Sequence, residues 1–380
     1  MNNLKTEEKG IPVAFAAIDP YIETVIPRPV ETPNRSKDWI LWGQDNLYPD
    51  YLLDLYRNVA TLRTIINGNV DFIAGDDITI EPISESLAPN VMNTRGDTIR
   101  DQVRDIAKDD EIYGGYALQV IRGLSGVPVE TYYLDARHVR TNKECDVFFY
   151  CEDWARRGSK KVITYPAFIP GLEKDWSTMD ENARNRAASS IVYVKNVHTQ
   201  VYPAPLYAAA VKSCEIERCI DEFHLTSISN GFFPSGIINF NNGQPNDQQK
   251  KEIERNVNEK FAGPANAGRL LLSWNKNKDS ATTFDFPDVK DFGEKFKTLA
   301  DRSRQQIFVS FRAIPALFGL MTESTGFNTQ EFEQSFKLYA RTQIRPVQRQ
   351  IVETYERIYG RTGIMNIKPF TLDGGETNIV

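Results

Sequence analysis

Four cations recur at four-residue steps near the C-terminus: Lys337, Arg341, Arg345 and Arg349. On a helix each step turns about 400°, so the stripe drifts by roughly 120° over its length. Such a stripe could face DNA phosphates. It could equally pair with acidic residues of a neighbouring subunit or stand in solvent, and inter-subunit or surface use is the reading favoured here. No other set of residues forms a reactive centre. Asp109-Asp110-Glu111 is the densest acidic cluster, but adjacent helix residues point in different directions and cannot jointly ligate a metal. It reads as a solvated helix end, and Asp76-Asp77 after Gly75 reads as a loop. His138, His198 and His224 are widely spaced, with no H-E-x-x-H and no serine in a G-x-S-x-G elbow. Cys145, Cys151, Cys214 and Cys219 contain no C-x-x-C pair and read as reduced, mostly buried thiols. Gly114-Gly115 has no phosphate-binding context. An enzyme has nothing to stand on here, and neither a cofactor nor a metal is expected.

The elements that would position the stripe belong to a chain of 380 residues, enough for two or three domains. Hydrophobic residues make up 41% and charged residues 25%, the balance of a soluble globular protein. No apolar run is long enough to span a bilayer, so no membrane partner is expected. The opening Met1-Asn-Asn-Leu-Lys-Thr-Glu-Glu-Lys9 lacks the apolar core of a secretory signal, which leaves the protein in the cytoplasm where it is made. A net charge of −6 disfavours a conventional DNA-binding surface. It is compatible with a wall that surrounds DNA without gripping it, because few counterion-releasing contacts would form.

Residues 1–48 carry Pro12, Pro20, Pro27, Pro29 and Pro33 and read as an extended arm. Leu52, Leu55, Leu62, Ile65, Ile66, Val70 and Ile73 predict one helix from about Tyr51 to Ile73, ended by Gly75. A strand over Thr79–Ile83 and a helix from about Asp97, its acidic opener, to Ile112 follow. Short β-rich runs over 117–121, 129–133, 147–150, 162–165 and 190–194 make this half mixed α+β. Pro203-Ala-Pro205 opens a long helix to about Ser229. Leu206, Ala209, Ile216, Ile220 and Phe223 share one face of it, and Arg218 is set to pair with Asp221 and Glu222. A small αβ insert over about 231–286 comes next, with strands at 237–240 and 269–273 around a charged helix from Asp247 to Phe261. Two late helices then flank a polar tip. The first carries Phe292, Phe296, Leu299, Ile307 and Phe311; the second carries Phe332, Phe336, Ile344, Val347, Ile351, Tyr355 and Ile358. Pro346 removes a backbone bond from the second and should kink it.

Three stretches, in this order and spacing, resemble tailed-bacteriophage portal proteins. They are Trp42-Gly-Gln-Asp-Asn-Leu-Tyr-Pro-Asp50 with the helix ending at Gly75; Pro203-Ala-Pro-Leu-Tyr-Ala-Ala-Ala210 through Asn230-Gly-Phe-Phe-Pro-Ser-Gly-Ile237 and Phe261-Ala-Gly-Pro-Ala-Asn-Ala-Gly-Arg-Leu270; and Ile307 to Leu320 with Ser324-Thr-Gly-Phe-Asn328 and the helix through Pro346. The resemblance implies an α+β portal-type fold. Its parts would be an N-terminal arm (1–48), an α/β wing (49–202), a stem helix (203–230), a small αβ clip (231–286), a second stem helix (287–312), a tunnel loop (313–328), a long wing helix (329–359) and a C-terminal tail (360–380). Only about twenty residues follow Tyr359, so the crown of larger portals is expected to be reduced or absent.

The same resemblance implies a dodecameric ring at the capsid vertex of a virion, through which double-stranded DNA is packaged and ejected. Its implied partners are the terminase large subunit, a head–tail adaptor and the major capsid protein. Thr322, Glu323, Ser324, Thr325 and Asn328 would line the channel, and Lys250, Lys251, Glu254 and Arg255 would form the docking surface of the clip. The alternative is a structural head–tail adaptor or minor capsid protein without a DNA channel.

Overall fold

Asn58 interrupts the apolar run that opens the helical layer. Its side-chain amide donates to the carbonyl of Asp54 at 2.9 Å and to the Asp54 carboxylate at 2.7 Å, competing with continuation of the helix. Helix α1 (Tyr48–Asn58) stops there, and α2 (Ala60–Ala74) begins after Val59, whose backbone is extended at φ −105° and ψ 109°. The single helix expected over 51–73 is therefore two helices with an elbow. Leu55 and Leu62 stand seven apart and share a face with or without the break, so periodicity hides it. Gly75 ends α2 at φ 62°, as expected. The computed structural model describes residues 26–33, 38–155, 161–229, 236–240, 248, 251, 270–274, 289–320 and 329–371.

Helix α3 (Ile99–Tyr113) is opened by Thr98 and not by Asp97. Thr98 and Asp101 form a reciprocal capping box: Asp101 N–H donates to Thr98 Oγ1 at 3.2 Å, and Thr98 N–H donates to the Asp101 carboxylate at 3.0 Å. Asp97 lies one residue outside and accepts from the Asn93 amide at 2.8 Å. The helix ends at Gly114, left-handed at φ 85°. The carbonyl of Ala204 occupies the place a Cβ would need, so this glycine serves a close backbone crossing.

Two short strands, β1 (Glu31–Pro33) and β2 (Ile40–Trp42), pair ahead of α1, and β3 (Asp77–Ile80) follows α2. Asp77, expected in a loop, thus opens a strand. The central sheet is antiparallel and ordered β5–β4–β9, built from β4 (Gly115–Arg122), β5 (Pro128–Leu134) and β9 (Ser189–Lys195). Leu118 faces Tyr133 on one side and Val192 on the other. A second antiparallel sheet contains β6 (Val139–Thr141), β7 (Val147–Tyr150) and β8 (Ile163–Pro166), and a parallel bridge from Ala167 to Ile191 joins it to the first. Helix α4 (Glu181–Ala187) leads into β9. The five expected β-rich runs fall on β4, β5, β7, β8 and β9. The strands not anticipated are three or four residues long, too short to show a period.

Leu52, Leu55, Leu62, Ile65 and Ile66 from the first two helices pack with Val103 and Ile106 of α3 and with Leu118 and Val120 of β4 in one core. The last part of the expected arm joins this core. Trp42 is 1% exposed and stacks on Tyr202 with centroids 4.5 Å apart. The fully buried Arg140 guanidinium donates to Asn46 Oδ1 and to the Asn46 carbonyl, both at 2.6 Å. The thiols divide evenly: Cys151 and Cys214 are buried, Cys145 half-buried and Cys219 exposed, fewer inside than expected.

Pro205 opens a 3-10 turn, Leu206–Ala210, before α5 (Val211–Ser229) begins. Strands β10 (Gly236–Phe240) and β11 (Leu270–Trp274) are parallel, a pairing that needs a crossover and not a hairpin. Helix α6 (Val289–Ser310) runs antiparallel to α5, since Tyr207 stacks on Phe311 at 5.5 Å and Phe223 on Phe296 at 4.8 Å. Helices α7 (Thr329–Tyr339) and α8 (Arg345–Tyr359) follow, joined end to end, and β12 (Met365–Lys368) returns to pair with β3. Of the expected α5 face, Ile220 is buried while Leu206, Ala209 and Phe223 are exposed.

Candidate functional site

The basic stripe lies on the helix formed by α7 and α8, and what holds that helix decides where the stripe points. Its buried positions are Phe336, Tyr339, Ile344, Gln348, Ile351, the adjacent pair Thr354 and Tyr355, and Ile358. With Thr354 and Tyr355 taken as one position, every step is three or four residues except Tyr339 to Ile344, which is five. A π-helical turn, Ala340–Ile344, absorbs the extra residue, and Arg345 N–H reaches back to the Ala340 carbonyl. The stripe of buried residues therefore stays on one face. Pro346 falls in the first turn of α8, where its missing N–H is tolerated. A π turn ahead of the proline stands in place of the expected kink at it.

Four polar contacts fix the register of this helix against the body. Tyr339 OH donates to Asn69 Oδ1 at 2.6 Å, and the Gln348 amide caps the carbonyl of Ile73 at 2.9 Å near the end of α2. Tyr355 OH donates to Gln102 Oε1 at 2.9 Å, and the hydroxyls of Thr354 and Tyr116 lie 2.8 Å apart. The solvent side carries Lys337, Arg341, Arg345 and Arg349, all exposed. Lys337 pairs weakly with Glu333 at 3.8 Å, and the three arginines have no ion-pair partner among the described residues. Lys337 and Arg345 also rim a cleft of about 320 Å³ whose floor includes Phe72, Phe336, Ile344 and Phe370.

The antiparallel pair of α5 and α6 is tied to the elbow between α1 and α2. Glu217 of α5 accepts from Thr61 N–H at 3.2 Å and from Thr61 Oγ1 at 2.8 Å, placing a carboxylate at the start of α2. Glu215 accepts from Tyr51 OH at 2.8 Å. Arg218 bridges Glu215 at 2.7 Å and Asp54 at 3.0 Å, and not the Asp221 and Glu222 expected of it. Beyond α6 the chain reverses at Arg312, left-handed at φ 51°, and enters a 3-10 turn, Pro315–Phe318, closed by Gly319 at φ 80°. The Phe318 ring lies over Gly68 of α2, 2.7 Å from where a Cβ would stand, amid Phe72, Phe308 and Tyr339.

The Asp109–Glu111 cluster is not a solvated helix end. Asp109 and Glu111 are each 3% exposed, and Asp110 is half-buried. Asp109 accepts from Tyr133 OH and from Ala136 N–H, both at 2.9 Å, and Glu111 accepts from the Asn69 amide at 2.9 Å. Burial pushes Asp110 up to about 7, and burial, with the neighbouring Asp110 charge, pushes Glu111 up to about 8. Among the described residues no group of three or more His, Cys, Asp or Glu is arranged to hold a metal ion. Among them also, no helix is long and apolar enough to cross a membrane.

Of the remaining site candidates, Lys251 is helical and exposed. Lys250, Glu254, Arg255, Thr322, Glu323, Ser324, Thr325 and Asn328 lie outside the described residues. Sequence reasoning missed Gly68, Glu215, Glu217 and Gln348. Of these only Gly68 left a signal, a glycine inside a helical pattern.

A family model for phage portal proteins matches residues 56–369. Uncharacterized proteins of Rickettsia felis and Rickettsia bellii are each 26% identical over 152 residues, covering 38% of this chain. The match spans 37% of the length of these curated relatives. Among solved structures, a chain from the neck of the empty gene transfer agent particle, computed with C6 symmetry, superposes with a TM-score of 0.54 at 15% identity, covering 92% of this chain and 87% of that one. A chain from the virion of the native gene transfer agent particle gives 0.52 at 16% identity, covering 91% and 86%. These likenesses show a portal-type α+β fold, and with a family model matching most of its length the chain belongs to the phage portal protein family.

Proposed function

We propose that this chain is the repeating subunit of a ring at a capsid vertex, the conduit for DNA packaging and ejection and the dock for a terminase motor and a tail adaptor. Phage portal proteins are structural, non-enzymatic proteins. The observation that carries the reading is the antiparallel α5–α6 pair, braced at Glu217 against the body while leaving Leu225, Leu299 and Val309 exposed. Side chains of this size along paired helices call for a repeated neighbour, which a ring supplies. In this reading 49–202 and 329–359 form the wing, 203–230 and 287–312 the stem, 231–286 the clip and 313–328 the tunnel loop. The arginine stripe then pairs with acidic groups of the next subunit, and Lys251 belongs to the docking face of the clip.

Imaging of purified protein and of assembled particles tests the ring. Closed rings with a central channel are expected, whereas a strictly monomeric species with no ring in particles would sink the reading. Deleting Thr322–Thr325 should impair packaging or DNA retention with rings intact. Loss of ring assembly would instead make those residues structural. A ring lacking DNA density would favour an adaptor without a channel.

A further inference from the structure

Glu111 is a buried carboxyl whose fixed donor is one amide. It belongs to a hydrogen-bond chain across three helices: Tyr339 OH donates to Asn69 Oδ1 at 2.6 Å, and Asn69 Nδ2 donates to Glu111 Oε2 at 2.9 Å. Tyr339 is the last residue before the π turn, so the chain ends where the long helix has its least regular backbone. The groups facing Glu111 are Asp110 on its own helix, Asn69 on α2, Tyr339 on α7 and Tyr207 in the turn before α5. None is a cation. The cations of α2 and α3 are engaged elsewhere: Arg104 on Asp71, Arg100 on the carbonyls of Gly75 and Asp76, and Arg63 and Lys108 over the Tyr56 ring; those of the long helix are exposed.

We propose that the Glu111–Asn69–Tyr339 chain is a proton-dependent latch on the long C-terminal helix, closed while Glu111 is neutral and loosened when it ionises. A neutral carboxyl has no charge to desolvate and keeps the amide it accepts from. A buried carboxylate needs several donors or water, and one amide does not offset its desolvation. Glu111 is only 3% exposed, so full hydration of its carboxylate requires the packing around it to yield. Tyr339 is the member of the chain next to a helical turn with an extra residue, whereas Asn69 lies in the middle of α2. Relief therefore comes from movement of the long helix at Ala340–Ile344. Burial pushes the Glu111 carboxyl up to about 8, which places the transition in mildly alkaline solution.

Hydrogen–deuterium exchange on the full-length chain tests this, read as protection factors for amides 336–348 between pH 6 and pH 9. The native protein should lose protection there on the order of tenfold across that range. Glu111→Gln keeps the acceptor and cannot ionise, so it should retain protection at pH 9. Tyr339→Phe should show low protection at both pH values. Unchanged native protection, the same loss in Glu111→Gln, or native behaviour in Tyr339→Phe would each overturn the latch. So would a loss abolished by Asp110→Asn and not by Glu111→Gln, which would assign the titration to the neighbour.

Discussion

The Glu217 carboxylate caps a helix that is not its own: from α5 it accepts both the backbone N–H and the hydroxyl of Thr61, at 3.2 and 2.8 Å. Val59, the N-cap residue of α2, offers no side-chain acceptor, so the cap is supplied from across the fold. The paired helices are thereby positioned by the start of α2 and by the Glu215–Tyr51 and Arg218–Asp54 contacts beside it.

Glu217→Ala should cost about 1–2 kcal/mol, the range for losing a cap whose donors become buried without a partner. Urea denaturation of Glu217→Ala, Thr61→Val and the double variant measures the coupling. Additive single effects would mean that the two residues do not act together.

Gly68→Ala puts a methyl group where the Phe318 ring lies, 2.7 Å from the new carbon. Overpacking of this kind costs about 1–3 kcal/mol. Shortening the ring in Gly68→Ala/Phe318→Leu should recover part of the loss. A Gly68→Ala protein as stable as the native one would show that the turn before the tip is not seated on α2.

Stability should fall as pH rises. Glu111 ordinarily titrates near 4.5 and is held at about 8 in the fold, and Asp110 moves from 3.8 to about 7. A raised carboxyl contributes stability that is fully present below its unfolded value and lost as pH climbs through the folded one. Urea midpoints should therefore decline between about pH 4 and pH 8, and Glu111→Gln should flatten the upper part of the curve. A midpoint that rises over that range contradicts the assignment.

Replacing Arg341, Arg345 and Arg349 together by Gln should weaken ring assembly without changing monomer stability by more than about 0.5 kcal/mol, since all three are exposed and unpaired among the described residues. Sedimentation reads the assembly, and packaging efficiency in intact rings reads any contact with DNA. Normal rings with defective packaging would move the stripe into the channel.

Much of the element order was legible in the sequence because long helices and five-residue strands leave strong periods. The elbow at Val59 was not, since a seven-residue repeat runs through it unchanged. Arg218 pairs with Asp54 because α1 lies against α5, a tertiary fact that no local spacing contains. Asp109 and Glu111 looked solvated because three consecutive acids are seldom buried; their partners Tyr133, Ala136 and Asn69 come from two other segments. The family resemblance was visible in Pro203–Ala210 and Ile307–Leu320, where turn chemistry and helix starts coincide. The anchors at Glu217 and Gln348 needed coordinates.

The turn at Ala340–Ile344 amounts to one surplus residue in an otherwise uninterrupted helix. Removing a single residue there would let the helix close as a plain α-helix with Tyr339 and Ile351 both still facing inward. The cations on its outer side would then change phase relative to one another. What this stretch encodes is a count, separating the orientation of the outer charges from that of the inner face.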